Sequence, residues 1–141
     1  MVACSWLATN LSGAFHVFGA ALPYLRANGG DAIFVSSVSA AWPDESGAAY
    51  QASKAGVTAL ARAAALEGHA DGLRVSTIIP GLVDTPLLDR RPQPPDEKRR
   101  RQALRADDVA HVCAFLLCLP RRMYIPEVTV LPTALQALGA T

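Results

Sequence analysis

The sequence predicts an α/β fold, a partial doubly wound parallel sheet of three strands with flanking helices. Two observations support this class. Three short apolar runs rich in β-branched residues alternate along the chain with longer segments whose apolar residues recur at helical spacing. The length of 141 residues suits one compact domain and is too short for two ordinary ones. We therefore expect residues 1–141 to form a single domain.

The first predicted element is a helix over residues 3–28. Its apolar residues recur at steps of three and four, which places them on one face: Leu7, Leu11, Phe15, Phe18, Leu22 and Leu25. The helix is expected to end at Asn28, because the two glycines that follow tolerate positive φ. Asn10 lies inside this helix although asparagine is a poor helix former, so its position calls for a reason.

The first strand is predicted at 32–37 and the next helix at 49–67. The strand is a short apolar run with β-branched and aromatic residues, which is typical of a strand buried on both faces. Residues 41–47 between them contain proline, aspartate, serine and glycine and are predicted to form a loop. A second buried strand is expected at 74–80. Alternation of this kind favours a parallel sheet.

The C-terminal part of the chain is less regular. Residues 82–95 contain four prolines and are predicted to be irregular. A charged helical piece is expected at 96–105, and a helix at 106–119 whose acidic start suits the positive end of the helix dipole. The third strand is predicted at 127–132, with a weakly ordered tail after it. Three strands would leave an apolar strand edge without a partner.

Composition and charge argue against several classes of function. The net charge of +1 argues against electrostatically driven binding of nucleic acid. No run of about 20 apolar residues exists, and the first residues lack the basic region of a signal peptide, so no membrane association is expected. The three cysteines, Cys4, Cys113 and Cys118, form no C-x-x-C pair. They are expected to be buried apolar residues without a metal, in a reducing and therefore cytoplasmic compartment.

Tyr50 and Lys54 form the most informative pair of side chains. At positions i and i+4 they share one face of the predicted helix. A phenol has a pKa of about 10, and a nearby ammonium lowers it by favouring the phenolate. Such a phenol can exchange a proton with a substrate hydroxyl. The spacing alone is more often an ordinary surface pair, so its meaning depends on neighbouring residues.

Ser37 supplies the context for that pair. It closes the first predicted strand thirteen positions before Tyr50, at the sheet edge where doubly wound proteins hold their ligands. A hydroxyl at this edge can bind a substrate oxygen beside Tyr50. Ser36 and Ser39 flank it and are expected to be mainly structural, with Ser39 kept as a candidate substrate contact.

These residues together resemble the short-chain dehydrogenase/reductase family. The matching stretches are NLSGAF (10–15), AIFVSSVSA (32–40), YQASK (50–54) and PGLVDTP (80–86). The resemblance implies a Rossmann-like sheet and an NAD- or NADP-dependent oxidoreductase that acts on a hydroxyl or carbonyl group of a small molecule. The family's Gly-rich nucleotide-binding turn, T-G-x-x-x-G-x-G, has no counterpart in this sequence. The N-terminal nucleotide-binding half is therefore expected to be missing.

The resemblance also implies roles for individual residues. Tyr50 would be the general acid and base, and Lys54 would lower its pKa and bind the nicotinamide ribose. Ser37 would polarise the substrate oxygen. Asn10 would keep the helix bent and hold a water that leads protons from Lys54 to solvent. The residues expected to meet the nicotinamide carboxamide are Pro80, Gly81, Val83 and Thr85.

The sequence also admits other interpretations. The chain can be a truncated, inactive module, and a homo-oligomer through helices 3–28 and 49–67 is expected if the protein is intact. A hydrolase built on Ser37 and Lys54 is disfavoured, because neither S-x-x-K nor G-x-S-x-G occurs. The basic residues between 90 and 105 are expected to form a solvated face, with substrate contacts as the sharper alternative. Trp42 is a candidate pocket residue.

Overall fold

A computed structural model describes residues 5–91 and 93–137 of the chain. Its sheet has three parallel strands in the spatial order β1-β2-β3. The strands are Asp31–Val35 (β1), Arg74–Pro80 (β2) and Glu127–Val130 (β3). In the register of the sheet, Asp31 lies opposite Arg74 and Thr77 opposite Glu127. The predicted α/β class with a three-stranded parallel sheet is confirmed.

Helices connect the strands as the sequence predicted. They are α1 (Gly13–Asn28), α2 (Ala48–Gly68), α3 (Glu97–Gln102) and α4 (Ala106–Leu117). The predicted helix 3–28 differs in its first part, since Leu7–Ser12 is wound as a π-helix and residues 3 and 4 lie outside the described residues. Gly29 ends α1 in the left-handed conformation with a φ of 58°.

The two faces of the sheet are covered by different helices. Phe34 of β1 and Val75 of β2 pack against α2 in the main hydrophobic core, and the ring of Phe18 from α1 lies 5.4 Å from that of Phe34. Successive strand residues point to opposite faces. Ser76 accordingly lies on the other face, beside Leu116 of α4. The sheet is therefore enclosed by α1 and α2 on one side and by α4 on the other.

The burial of the first strand differs from the prediction. β1 stops at Val35 instead of residue 37, and Phe34 is its single buried residue, while Val35 is 44% exposed. Within the described residues β1 pairs with β2 alone, which leaves its outer edge without a strand partner, as predicted. β2 is the central strand and is buried along nearly its whole length, as expected for a strand covered on both faces.

Two expectations for the C-terminal part are wrong. The stretch predicted as irregular contains a 3₁₀ turn at Pro86–Arg90. The charged helical piece predicted at 96–105 is confined to α3, and after it Leu104 forms an isolated parallel β-bridge with Val83. The weak order expected of the tail stays a prediction, since residues 138–141 lie outside the described residues; in the part that is described, the backbone N–H groups of Leu135 and Gln136 both donate to the carbonyl of Pro132.

The cysteines are less buried than their composition suggested. Cys118, just beyond the end of α4, is exposed and Cys113, within α4, is half-buried, both as free thiols, while Cys4 lies outside the described residues. Only one face of α4 packs against the sheet, and Leu116 is its single buried residue. The other faces of α4 lie in solvent, which accounts for the exposure of the cysteines. Across residues 5–91 and 93–137, no helix combines the length and apolar character needed to cross a bilayer.

Candidate active site

A cleft of about 520 Å³ lies at the carboxyl ends of β1 and β2. Parallel strands bring their carboxyl ends to one edge of the sheet, so residues that follow different strands meet there. Ser37, Tyr50 and Lys54 line this cleft together. The predicted turn residues also line it: Pro80, Gly81, Val83 and Thr85. Asn10 and Ser39 are not part of its lining.

Ser36 holds the helix that carries Tyr50 and Lys54 against the end of β1. Its hydroxyl donates to the carbonyl oxygen of Lys54 at 3.0 Å and lies 2.8 Å from the hydroxyl of Thr58. These atoms are buried, so the hydrogen bonds are shielded from water. The second and third turns of α2 are thereby fixed against the end of β1, and the predicted structural role of Ser36 agrees with these contacts.

Tyr50 lies in the cleft with its ring against Trp6. The two ring centroids are 5.4 Å apart in an edge-to-face arrangement. Burial raises the pKa of Tyr50, a hydrogen bond with the Ser37 side chain and the charge of Arg91 lower it, and the charge of Asp44 raises it. The net pKa lies above the ordinary value of a phenol.

The raised pKa of Tyr50 departs from the prediction that Lys54 would lower it. The ammonium of Lys54 lies 5.8 Å from the centroid of the Tyr50 ring and donates to the carbonyl oxygen of Val35 at 2.9 Å. Burial lowers the pKa of Lys54. The loss of solvation around the phenol therefore outweighs the cations near it.

Ser37 belongs to a short hydrogen-bonded chain that ends on Asp44. The Ser37 hydroxyl donates to the Ser39 hydroxyl at 3.0 Å, which in turn donates to Asp44 Oδ2 at 2.6 Å. Burial alone would raise the pKa of Asp44, but hydrogen bonds from Ser39 and Ser46 and the charge of Arg91 outweigh it and lower that pKa. Asp44 thus remains a carboxylate that orients the two serines. Ser39 contacts Ser37 and Asp44 and lines the second cavity, which adjoins the cleft.

Asn10 reaches the same helix from the opposite side. Its side-chain amide donates to the hydroxyl of Ser53 at 3.0 Å, and that hydroxyl donates to the carbonyl oxygen of Tyr50 at 2.7 Å. Ser53 is fully buried. Asn10 lies within the π-helical turn Leu7–Ser12, a distortion that is frequent at functional sites. The unusual asparagine in a helix interior therefore has a structural reason.

A second cavity of about 370 Å³ adjoins the cleft. Ser37, Gly81 and Arg91 line both spaces, and Asp44 lines the second.

Trp6 and Arg91 were not assigned to the site from sequence, although Arg91 falls in the basic run that was considered for substrate contacts. Trp42, which was considered for the pocket, lines neither cavity. Among the residues that the structure describes, no cluster of three or more His, Cys, Asp or Glu side chains is placed to hold a metal ion.

The turn after β2 is held from the C-terminal segment. The backbone N–H of Leu82 donates to Gln136 Oε1 at 2.7 Å, and that of Gly81 donates to the carbonyl of Val130 at 2.8 Å. A Cβ at Gly81 would overlap Gln136 Oε1 and lie 2.8 Å from Cδ of Pro132. Glycine is therefore required at this close approach, and Gln136 fixes one wall of the cleft.

We expect Gln136→Leu to lower the free energy of unfolding by about 1–2 kcal/mol, because the largely buried N–H of Leu82 would lose its acceptor. Urea denaturation followed by circular dichroism measures the loss. Gln102→Leu is the matched control, since Gln102 is exposed at the end of α3. Equal stability of the two variants would show that the hydrogen bond to Leu82 contributes nothing.

Comparison with known sequences identifies related oxidoreductases. A profile of the short chain dehydrogenase family matches residues 4–96. An uncharacterized oxidoreductase from Staphylococcus epidermidis is 33% identical over 124 residues, which cover 87% of this chain and 52% of that protein. A tropinone reductase homolog from Arabidopsis thaliana is 33% identical over 133 residues, with 88% and 49% covered. The chain spans about half the length of the curated relatives that it matches.

Solved structures with the same arrangement include two that contain a nicotinamide cofactor. An alcohol dehydrogenase from the archaeon Thermococcus sibiricus, in complex with 5-hydroxy-NADP, superimposes with a TM-score of 0.77 at 28% identity, covering 91% of this chain and 52% of that one. The closed form of a serine dehydrogenase with NADP⁺ gives a TM-score of 0.80 at 26% identity, with 94% and 56% covered.

Proposed function

This chain belongs to the short chain dehydrogenase family, and we propose that it is an NAD(P)-dependent oxidoreductase acting on a hydroxyl or carbonyl group of a small molecule. The observation that carries the proposal is the convergence of Ser37, Tyr50 and Lys54 on one cleft at the carboxyl ends of the strands. The names of the related proteins add support, since an alcohol dehydrogenase, a serine dehydrogenase and a tropinone reductase homolog all point to alcohol and carbonyl chemistry.

Tyr50 is the proposed acid and base. In alcohol oxidation it would take the proton of the substrate hydroxyl, and in carbonyl reduction it would return one. Ser37 would hold the substrate oxygen beside the phenol, and its own orientation is set by Ser39 and Asp44. The cations of Lys54 and Arg91 would favour the phenolate against the opposing effect of burial.

The donors of the cleft fit the nicotinamide-ribose end of the cofactor. The ammonium of Lys54 and the phenol of Tyr50 can meet ribose hydroxyls, and the turn from Pro80 to Thr85 offers backbone groups and a hydroxyl. Bound nicotinamide supplies or accepts the hydride. The Gly-rich turn that binds the pyrophosphate in such folds has no counterpart in the printed sequence. Both NAD and NADP stay open as the cofactor.

A second function is favoured by one observation, namely that the chain spans about half the length of its relatives. On this alternative the chain is an inactive module that keeps the residues of the cleft and binds no dinucleotide. The expected homo-oligomer through helices 3–28 and 49–67 stays a prediction, supported by the exposed side chains of Phe15, Val17 and Leu66. The cytoplasmic location also stays a prediction.

Titration of the chain with NADPH and NADH, followed by cofactor fluorescence, separates the two functions. We expect saturable binding that Lys54→Gln weakens about tenfold or more, because one charge-assisted hydrogen bond is lost. Arg122→Gln, which changes an exposed cation outside the cleft, is the control and should leave binding unchanged. Absence of saturable binding in the unaltered chain would overturn the oxidoreductase proposal in favour of the module.

A further inference from the structure

Arg91 lies at the junction of the cleft and the second cavity, together with Ser37 and Gly81. It follows the 3₁₀ turn Pro86–Arg90, and its backbone N–H donates to the carbonyl of Leu88 at 3.2 Å. The side chain of Leu88 is buried, so the backbone that carries Arg91 is anchored. The arginine therefore belongs to the walls of the two spaces and is half-buried between them.

The guanidinium of Arg91 has no ionic partner among the described residues, whereas several other arginines do. Those with a carboxylate within ion-pair distance are Arg26, Arg62, Arg74, Arg100, Arg101 and Arg121. Two carboxylates close to Arg91 in sequence, Asp84 and Asp89, are taken by Arg100. Asp44 instead receives its hydrogen bonds from Ser39 and Ser46. Within residues 5–91 and 93–137 the guanidinium of Arg91 therefore forms no ion pair, and its N–H donors can serve a ligand in the two cavities that Arg91 lines.

The charge of Arg91 acts on the same space as the catalytic phenol. It lowers the pKa of Tyr50 and that of Asp44 without forming an ion pair with Asp44 within the described residues. Ser37 also borders both cavities. A molecule whose reacting oxygen lies at Ser37 and Tyr50 can therefore extend toward Arg91 without leaving the site.

We propose that Arg91 binds the carboxylate of the substrate, so that the chain acts on a hydroxy acid or the matching oxo acid. This inference rests on the proposed function. The planar fork of an arginine matches a carboxylate with two parallel hydrogen bonds, and such pairs are strong where water is partly excluded. The apolar side chains of Leu87 and Val109 on the cleft wall suit a short hydrocarbon chain between the two polar ends.

The test compares 3-hydroxybutyrate with its neutral analogue 3-hydroxybutyramide, in titrations followed by NMR with and without added NADP⁺. We expect the chain to bind the carboxylate about tenfold more tightly than the amide, or better, in at least one of the two conditions. Arg91→Gln should abolish that difference. Arg91→Lys, which keeps the charge but not the fork, should retain part of it. Arg122→Gln is the matched control and should keep it whole.

Three results would overturn the inference: equal affinity for both compounds, an unchanged preference in Arg91→Gln, or no binding of the carboxylate in either condition. Arg91→Lys decides the matter if the glutamine variant does not fold, because a preference fully kept by lysine would exclude recognition by the fork. A carboxylate preference without saturable binding of NADPH or NADH would overturn the proposed function and leave the anion site. Saturable cofactor binding without a preference for the carboxylate would overturn the anion site and leave the proposed function.

Discussion

Replacing Tyr50 with phenylalanine is expected to reduce kcat for alcohol oxidation by about 10²–10⁴-fold, because the variant lacks the group proposed to take the substrate proton. The fold should persist. The ring that packs edge-to-face on Trp6 is retained, and the helix contact of Asn10 and Ser53 goes to the backbone carbonyl of Tyr50, which the substitution does not touch. Initial rates of NADPH or NADH formation with a panel of hydroxy acids and simple alcohols measure the effect.

Tyr24→Phe is the matched control for this experiment. Tyr24 lies on α1 and is 78% exposed, so its hydroxyl should be irrelevant to turnover and to stability. Tyr24→Phe should unfold at the same urea concentration as the unaltered chain, and Tyr50→Phe should lose about 1 kcal/mol of stability at most, because the phenol's hydrogen bond with Ser37 is removed. Turnover retained by Tyr50→Phe, with the fold intact, would remove Tyr50 from the chemistry.

The pH dependence of the rate gives an independent check on Tyr50. If Tyr50 is the proposed base, oxidation requires its deprotonated phenol, whose fraction rises with pH and levels off only above the pKa. Because burial raises that pKa, the oxidation rate of the unaltered chain should keep increasing into the alkaline range. The increase should be absent in any residual activity of Tyr50→Phe.

The core of the site was predictable because its members are close in sequence or follow strands. Tyr50 and Lys54 are one helical turn apart, and Ser37 follows the end of β1 shortly before them. Alternating strands and helices then imply that Pro80 and Gly81 reach the same edge of a parallel sheet. Local spacing and the topology of parallel sheets thus suffice to assemble these residues.

The remaining features depend on contacts between distant parts of the chain. Trp6 packs on Tyr50 from the first helix, and Gln136 reaches Leu82 from the C-terminal segment, at separations that no local pattern encodes. The sign of the pKa shift at Tyr50 depends on how deeply the phenol is buried, which spacing does not report. The prediction that β1 is buried on both faces was wrong because its composition is apolar, and composition does not reveal whether a strand lies at the edge of a sheet.

Stability, in contrast to activity, depends on the opposite end of the sheet, where Arg74 is the main buried charge. Its guanidinium donates to both carboxylate oxygens of Asp31 at 2.6 and 3.0 Å. Nη1 also donates to three carbonyl oxygens of the segment that leads into β3, those of Leu119, Pro120 and Met123. One side chain therefore ties β2 to β1 and to the approach of β3.

Arg74→Met is expected to lower the free energy of unfolding by about 2–4 kcal/mol. Methionine keeps the apolar stem but leaves three carbonyls without their donor and Asp31 with Arg121 as its remaining partner. Arg62→Met is a close control, because Arg62 makes the same two-pronged contact with Glu127 at 2.6 and 3.1 Å. The sites differ in exposure, since the side chain of Arg62 is 66% exposed and that of Arg74 is 10% exposed, and in the three carbonyl hydrogen bonds of Arg74.

The exposed pair should therefore contribute about 0–1 kcal/mol, so the two variants separate the effect of ion-pair geometry from the combined effect of burial and the three carbonyl hydrogen bonds. Urea denaturation of both variants measures the two losses in parallel. Equal losses would mean that the fork geometry alone decides the energy. A loss at Arg74 below that at Arg62 would mean that desolvation of the buried guanidinium cancels its five hydrogen bonds, and the sheet would then be held by its apolar core alone.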